Sequence, residues 1–265
     1  MLQPVTKGNE ISAEINRILS SARTYDSVDE ITFRRLEVQA KKVVSANPVE
    51  GHNVLASLYG LRGDIAKARE HFSILANLSQ EPILATNKTA ILLNAGFFGE
   101  VQKLFAIAAN PQMGFFTGIW DHGIACGAFR TLHAFLSTAR KMELDLKGIN
   151  VDLVERAVRF LDANAISDES LAAMLDVAGE MLRENRLFFI GRAPTVFVGD
   201  HDSLESFFEI TFQVGLSGKA AAALDRELGH RLLTRLPDMP FEVMLHFESG
   251  LPTNERFLER PAISV

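Results

Sequence analysis

The stretch Asn53–Phe72, NVLASLYGLRGDIAKAREHF, decides how the N-terminal half of this chain folds. Its apolar and small residues follow the spacing that packs two antiparallel helices together: Leu55, Ala56, Tyr59, Gly63, Ala68 and Phe72. This pattern predicts a helix, a tight turn at Gly63-Asp64, and a second helix whose small Ala68 allows the pair to approach closely.

The same pattern recurs further along the chain. A pair of helices cannot bury its own apolar face, so a repeat of this kind should return at a period of about 34 residues. A shift of 33 residues carries Gly63 to Gly96, and a further shift of 31 carries Gly96 to Gly127. The phenylalanine that ends the first copy returns as Phe105 in the second. Residues 10–145 are therefore predicted to form about three and a half helix pairs in a short right-handed solenoid.

The stretch resembles a tetratricopeptide repeat, whose pattern has Leu, a small residue, Tyr, Gly, Ala and Phe in this order and at these offsets. The resemblance covers the N-terminal half of the chain. It implies a scaffold that binds a protein or peptide in a groove lined by the first helix of each pair. The partner-binding residues that it implies lie on two such helices: Asn53, Ser57, Leu61, Asn87, Ala90 and Asn94. Asparagine side chains at these positions can hydrogen-bond an extended peptide backbone.

Composition and charge narrow the class of protein. The chain has 265 residues, 47% hydrophobic content and a net charge of −6. A chain of this length can bury a large core. The acidic balance disfavours a nucleic-acid partner, because such binding needs a clustered basic face. The sequence has neither an apolar run of about 18 residues nor a signal-peptide pattern at its start, so we expect a cytoplasmic protein without a membrane segment.

After Asn185 the hydrophobic period changes from helical to alternating. Four segments predict strands, two long and two short: 205–215, 241–249, Leu187–Ile190 and Thr195–Val198. Residues 219–236, between the long strands, predict an amphipathic helix that ends at Pro237. If the two long strands are adjacent and parallel, their crossover should be right-handed.

The predicted fold class is α+β, with an N-terminal α-helical TPR-like solenoid followed by a small α+β sandwich domain. The expected units are helical repeats at 1–150, linking helices at 151–185, an α+β unit of three or four strands and one helix at 186–250, and an extended C-terminal arm at 251–265. An unpaired edge in so small a sheet can pair with a second copy, so a homodimer is also an expectation.

The loop from Gly215 to Lys219 follows a strand and opens a helix, where backbone N–H groups can hold an anion. A phosphate-binding loop of the Walker type needs four residues between its glycines and Ser or Thr after the lysine. Here two residues separate Gly215 from Gly218, and Ala220 follows the lysine. A plain strand-to-helix turn capped by Ser217 is the preferred interpretation.

Two other polar groups could carry chemistry. Asp200 and His201, in an Asp-His-Asp turn that ends at residue 202, could bind a divalent metal, but a single histidine is a weak signal and a solvated loop is preferred. Asp121, His122 and Cys126 place an acid, a base and a thiol on one helical turn. Because a helix pair supplies neither an open cleft nor an orienting third group, we expect these residues to serve packing.

Two functions of different classes follow. The preferred hypothesis is a non-enzymatic scaffold or adaptor that binds a protein or peptide, with no catalytic residue, cofactor or metal assigned. The alternative is a nucleotide- or metal-linked small-molecule enzyme or regulator, seated in the α+β unit around Lys219, Asp200 and His201.

Overall fold

The computed structural model describes residues 6–108, 116–191, 193–201 and 204–250. Ten helices precede the sheet in chain order: α1 Lys7–Ser21, α2 Glu30–Ala46, α3 Pro48–Leu61, α4 Ile65–Leu78, α5 Pro82–Asn94, α6 Phe98–Ala108, α7 Phe116–Ala125, α8 Phe129–Lys141, α9 Val151–Ala163 and α10 Asp168–Glu184. The C-terminal part contains β1 Thr195–His201, β2 Leu204–Val214, α11 Gly218–Arg235 and β3 Val243–Ser249. The chain is therefore mostly helical with a small C-terminal sheet, in agreement with the predicted α+β class.

Polar side chains fix where many of the helices begin. Each of these side chains accepts a hydrogen bond from a backbone N–H in the first helical turn, which satisfies a group that has no partner within the helix. The capping residues are Thr6, Asp29, Asn47, Asp64, Asn150, Ser167 and Ser217.

Three glycines close the turns between α3 and α4, α5 and α6, and α7 and α8. Gly63, Gly96 and Gly127 have φ angles of 71°, 72° and 70°. In the first turn, the Gly63 N–H donates to the carbonyl of Gly60, and the next N–H, of Asp64, donates to the carbonyl of Tyr59. The same pair of bonds recurs at the other two turns. This pattern is a Schellman motif, which requires a left-handed residue and so favours glycine. The predicted turn positions are confirmed.

The helices contact one another in a regular order. The first helices of successive pairs are neighbours, because α1 contacts α3, α3 contacts α5, and α5 contacts α7. Helix α10 does not extend this order and instead packs against α6. Gly179 of α10 lies so close to Gly96 that a Cβ at position 179 would overlap the Gly96 carbonyl. Leu171 and Leu175 of α10 lie against Gly127. Helix α10 therefore crosses the turns of two helix pairs.

The sheet has the strand order β1-β2-β3. Strand β1 pairs antiparallel with β2, and β2 pairs parallel with β3 across the α11 connection, with Phe208 opposite Val243. The expectation that the two long strands are adjacent and parallel is confirmed. The predicted strand at Leu187–Ile190 is wrong, because that segment makes only isolated bridges.

The segment that follows α10 is divided between two partners. Leu187 bridges to Thr24 in the turn between α1 and α2, whereas Phe189 bridges to Val214 at the end of β2. In the same region, Arg186 forms an ion pair with Asp26, with 2.7 Å between Nη2 and Oδ1. The segment around residue 187 therefore contacts both the turn between the first two helices and the sheet.

One apolar core continues from α5 through α10 into the sheet. The ring of Phe212 lies 5.4 Å from that of Phe98, and the ring of Phe208 lies 5.4 Å from that of Phe129. A second cluster joins α1–α5. The buried face of the sheet packs directly on the helices, and the division of the chain into units at residues 150 and 186 stays a prediction. The arm expected at 251–265 lies outside the described residues.

Candidate interaction surface

The six residues predicted to line a groove are all buried: Asn53, Ser57, Leu61, Asn87, Ala90 and Asn94. Asn87 donates a hydrogen bond from Nδ2 to Oδ1 of Asn53, at 3.1 Å, and so joins α5 to α3. Helix α3 contacts four other helices, α1, α2, α4 and α5, which leaves it no open side. The expectation of an open groove at these positions therefore does not match the structure, and binding of a partner by these residues stays a prediction.

A second polar contact joins α5 to α7. Thr89 Oγ1 lies 3.2 Å from His122 Nδ1, and burial lowers the pKa of His122 to about 4, so the ring is neutral at pH 7. The thiol of Cys126 donates to the carbonyl of Gly123 at 3.5 Å, and burial raises its pKa. His122 and Cys126 thus hydrogen-bond different partners, in agreement with the packing role expected for them.

A polar cleft of about 720 Å³ lies between α6, α8 and the turn that precedes α10. Arg130 on its wall donates to Asp162 at 2.7 Å and to Asp168 at 3.0 Å. Burial raises the pKa of Asp168, and the hydrogen bonds and charge of Arg130 oppose that rise. These contacts join α8 to the start of α10, which gives this part of the wall a structural role. The sequence offered no signal for them, because the partners share no motif.

The Gly215–Lys219 loop is a strand-to-helix turn capped by Ser217, as the preferred interpretation of the sequence expected. Ser217 Oγ accepts a hydrogen bond from the N–H of Ala220 at 3.4 Å, and Lys219 is exposed. The other loop considered as a metal site is the turn from Asp200 to residue 202, and residue 202 lies outside the described residues. For Asp200 and His201 only the backbone is described, and it belongs to β1.

In the described ranges the helices cover one face of the sheet, and α11 also reaches the β3 edge, where Asp225 Oδ1 lies 3.4 Å from His246 Nδ1. Helices α9, α10 and α11 contact the strands on the side of Phe208, Ile210 and Phe212, which are buried. Side chains alternate along a strand, so their neighbours in sequence point to the other side. Phe197, Glu209 and Met244 are direct partners across the three strands and therefore share that other side. We call this surface the open sheet face, formed chiefly by Phe197, Phe207, Glu209, Met244, His246 and Glu248.

The open sheet face combines exposed aromatic surface with acidic side chains. Phe197 is 52% exposed, and its ring lies 5.6 Å from that of Phe207. Glu209 lies between Phe197 and Met244 in the register, and Glu248 is exposed near the end of β3. Grouped exposed apolar side chains with a polar rim are typical of surfaces that bind other proteins. The alternation in the sequence predicted the buried side of the two long strands, and this is confirmed.

A second exposed apolar surface lies on α2. Ile31 is 84% exposed and Val38 is 53% exposed. Their spacing of seven residues is two helical turns, so they lie on one side of the helix. The exposed basic side chains around them are in part ion-paired, Arg34 with Glu30 and Arg35 with Glu14. We call this surface the α2 outer face, formed by Ile31, Arg34, Arg35, Val38, Lys41 and Lys42.

Comparisons with known proteins found no relative: no protein-family model, no curated protein and no solved structure matches this chain. Among the helices of the described ranges, none combines the length and the apolar composition that crossing a bilayer requires. The function therefore has to be inferred from the surfaces of the chain itself.

Proposed function

We propose that this chain is a non-enzymatic, cytoplasmic scaffold that binds a protein partner, and that its helix pairs form a TPR-like array. The array is supported by the three left-handed glycines at the turns and by the contacts between first helices of successive pairs. Such arrays are rigid supports that hold a binding surface in place.

The open sheet face carries the proposal. Exposed Phe197 and half-buried Phe207 form an aromatic pair on a sheet whose other face is used by the core. Aromatic side chains near the centre of an interface contribute much of the binding energy when a partner excludes water from them. A flat face of three strands suits a protein surface better than a small molecule, which usually binds in a concave pocket.

The test compares capture of proteins by the full-length chain and by two variants. Phe197→Glu places a charge on the β1 side of the open sheet face, within the aromatic pair. Leu233→Glu is the matched control, because Leu233 is 57% exposed on α11, away from that face. We expect the wild type and the control to retain the same partner from source lysate, and Phe197→Glu to lose at least about tenfold of it.

The comparison requires that the melting temperatures of both variants lie within a few degrees of that of the wild type. We expect this, because both substitutions are at exposed positions. Equal capture by Phe197→Glu and the wild type would show that the open sheet face does not bind the partner.

A further inference from the structure

We propose that the partner of the open sheet face is a second copy of this chain, which docks its α2 outer face there. This inference rests on the proposed function, since it names the occupant of the same surface. It is supported by the match of the two surfaces in apolar spacing and in charge.

The apolar groups of the two surfaces have similar spacing. Ile31 and Val38, seven residues apart on a helix, are separated by roughly 10.5 Å along its axis. Phe197 on β1 and Met244 on β3 are two strands apart, which corresponds to roughly 9.6 Å. A helix that lies across the strands can therefore place one aliphatic side chain near each of them. Phe207 then covers the side of the contact next to Phe197.

The charges of the two surfaces are complementary. Four basic and two acidic residues lie on α2. Arg34 and Lys41 form ion pairs with these two acids. Arg35 pairs with Glu14 of α1, which leaves one positive charge in excess, four bases against three acids. Arg35 and Lys42 occupy the same side of the helix as Ile31 and Val38. The open sheet face presents Glu209 and Glu248. Opposite charges across an interface favour the correct partner, whereas like charges oppose a wrong one.

The charges also decide between two modes of self-association. Two open sheet faces packed against each other would place Glu209 and Glu248 near the same acids of the other copy, which is unfavourable. Docking of α2 on the sheet pairs two different surfaces, and every copy has both. Such a contact is heterologous and continues into a ring or an open filament, in contrast to a two-fold dimer.

The test is a sedimentation and light-scattering series on the purified full-length chain at low salt. We expect the average mass of the wild type and of Leu233→Glu to rise with concentration. Phe197→Glu and Ile31→Glu should each stay monomeric, because each lacks one of the two surfaces. An equimolar mixture of these two variants should form a complex of two chains and no larger species, because it contains one intact pair of surfaces.

Salt gives an independent readout. Exposed charges are screened at high ionic strength, so raising NaCl from about 0.05 M to about 0.5 M should weaken assembly of the wild type severalfold. Assembly that strengthens in high salt would overturn the charge complementarity on which the choice of α2 depends.

Each other outcome has a definite meaning. A wild type that stays monomeric at every concentration overturns this inference, and the proposed function survives if lysate capture still depends on Phe197. Dimers of Ile31→Glu, with no complex in the mixture, would show face-to-face pairing of sheets in place of α2 docking. If Phe197→Glu alters neither mass nor capture, both proposals fail.

Discussion

Asn87 makes a buried polar contact between α5 and α3. Its amide reaches Asn53, 34 residues earlier, and Thr89 makes a similar contact with His122, 33 residues later. The polar contacts therefore repeat at the period of the helix pairs. Buried polar groups that bond one another add specificity, because any other register of the helices would leave them unpaired.

We predict that Asn87→Ala lowers the free energy of unfolding by about 1–3 kcal/mol, because it leaves the buried Asn53 carbonyl oxygen without this donor. The measurement is chemical denaturation at pH 7. Asn77→Ala on α4 is the control, since Asn77 is exposed and should change stability by less than about 0.5 kcal/mol. Equal effects of the two substitutions would contradict a stabilising role for the Asn53–Asn87 bond.

These residues also show what a single sequence can reveal at this scale. Their spacing identifies Asn53 and Asn87 as equivalent positions of a repeat. Whether an asparagine at such a position contacts a partner or its own equivalent depends on what covers the helix. For Asn87 the cover comes from α3 and the other helices that pack on α5, and spacing alone does not reveal it.

Helix α10 can pack against the turn at Gly96 only because glycines stand at the crossing point. The overlap that a Cβ at Gly179 would make is with the backbone carbonyl of Gly96, which cannot rotate away. The period of residues 168–185 predicted this helix well. The hydrophobic period could not predict that α10 crosses the Gly96 turn, because a close approach of two glycines adds nothing to a hydrophobic pattern.

We predict that Gly179→Ala lowers the free energy of unfolding by about 1–3 kcal/mol, although alanine is the better helix former. Gly229→Ala is the matched control, because a Cβ at Gly229 in α11 would meet nothing within 4 Å. That variant should gain up to about 1 kcal/mol. Urea denaturation of both variants tests this prediction, which fails if Gly179→Ala stabilises the protein as Gly229→Ala does.

The sheet shares one apolar core with α5–α10, whereas α1–α5 form a second cluster, so we expect the sheet and α5–α10 to unfold together. The sequence predicted separate units because the hydrophobic period changes near Asn185. A change of period marks a change of secondary structure, and it does not show whether the new elements bury their apolar face on one another or on the preceding helices. Phe208 and Phe212 pack on the helices.

We predict that Phe208→Ala lowers the free energy of unfolding by about 3–5 kcal/mol and that the single tryptophan reports this loss. Trp120 lies in α7, outside the sheet, and is buried. Its fluorescence and the far-UV circular dichroism should therefore change at the same denaturant concentration. Phe207→Ala, on the open sheet face, is the control with a small effect. A Trp120 transition that Phe208→Ala leaves unchanged would restore the two-unit interpretation.

The contact between Asp26 and Arg186 spans 160 residues of sequence. A ribosome adds about 5–20 residues per second, so Asp26 leaves the exit tunnel roughly 10–30 s before Arg186 does. During this interval two later hydrogen bonds of the α1–α2 turn cannot form: the Tyr25 N–H donates to the carbonyl of Arg186, and the carbonyl of Arg23 accepts from the N–H of Phe188. We therefore expect that the first helices to be synthesised are among the last to acquire their complete set of contacts.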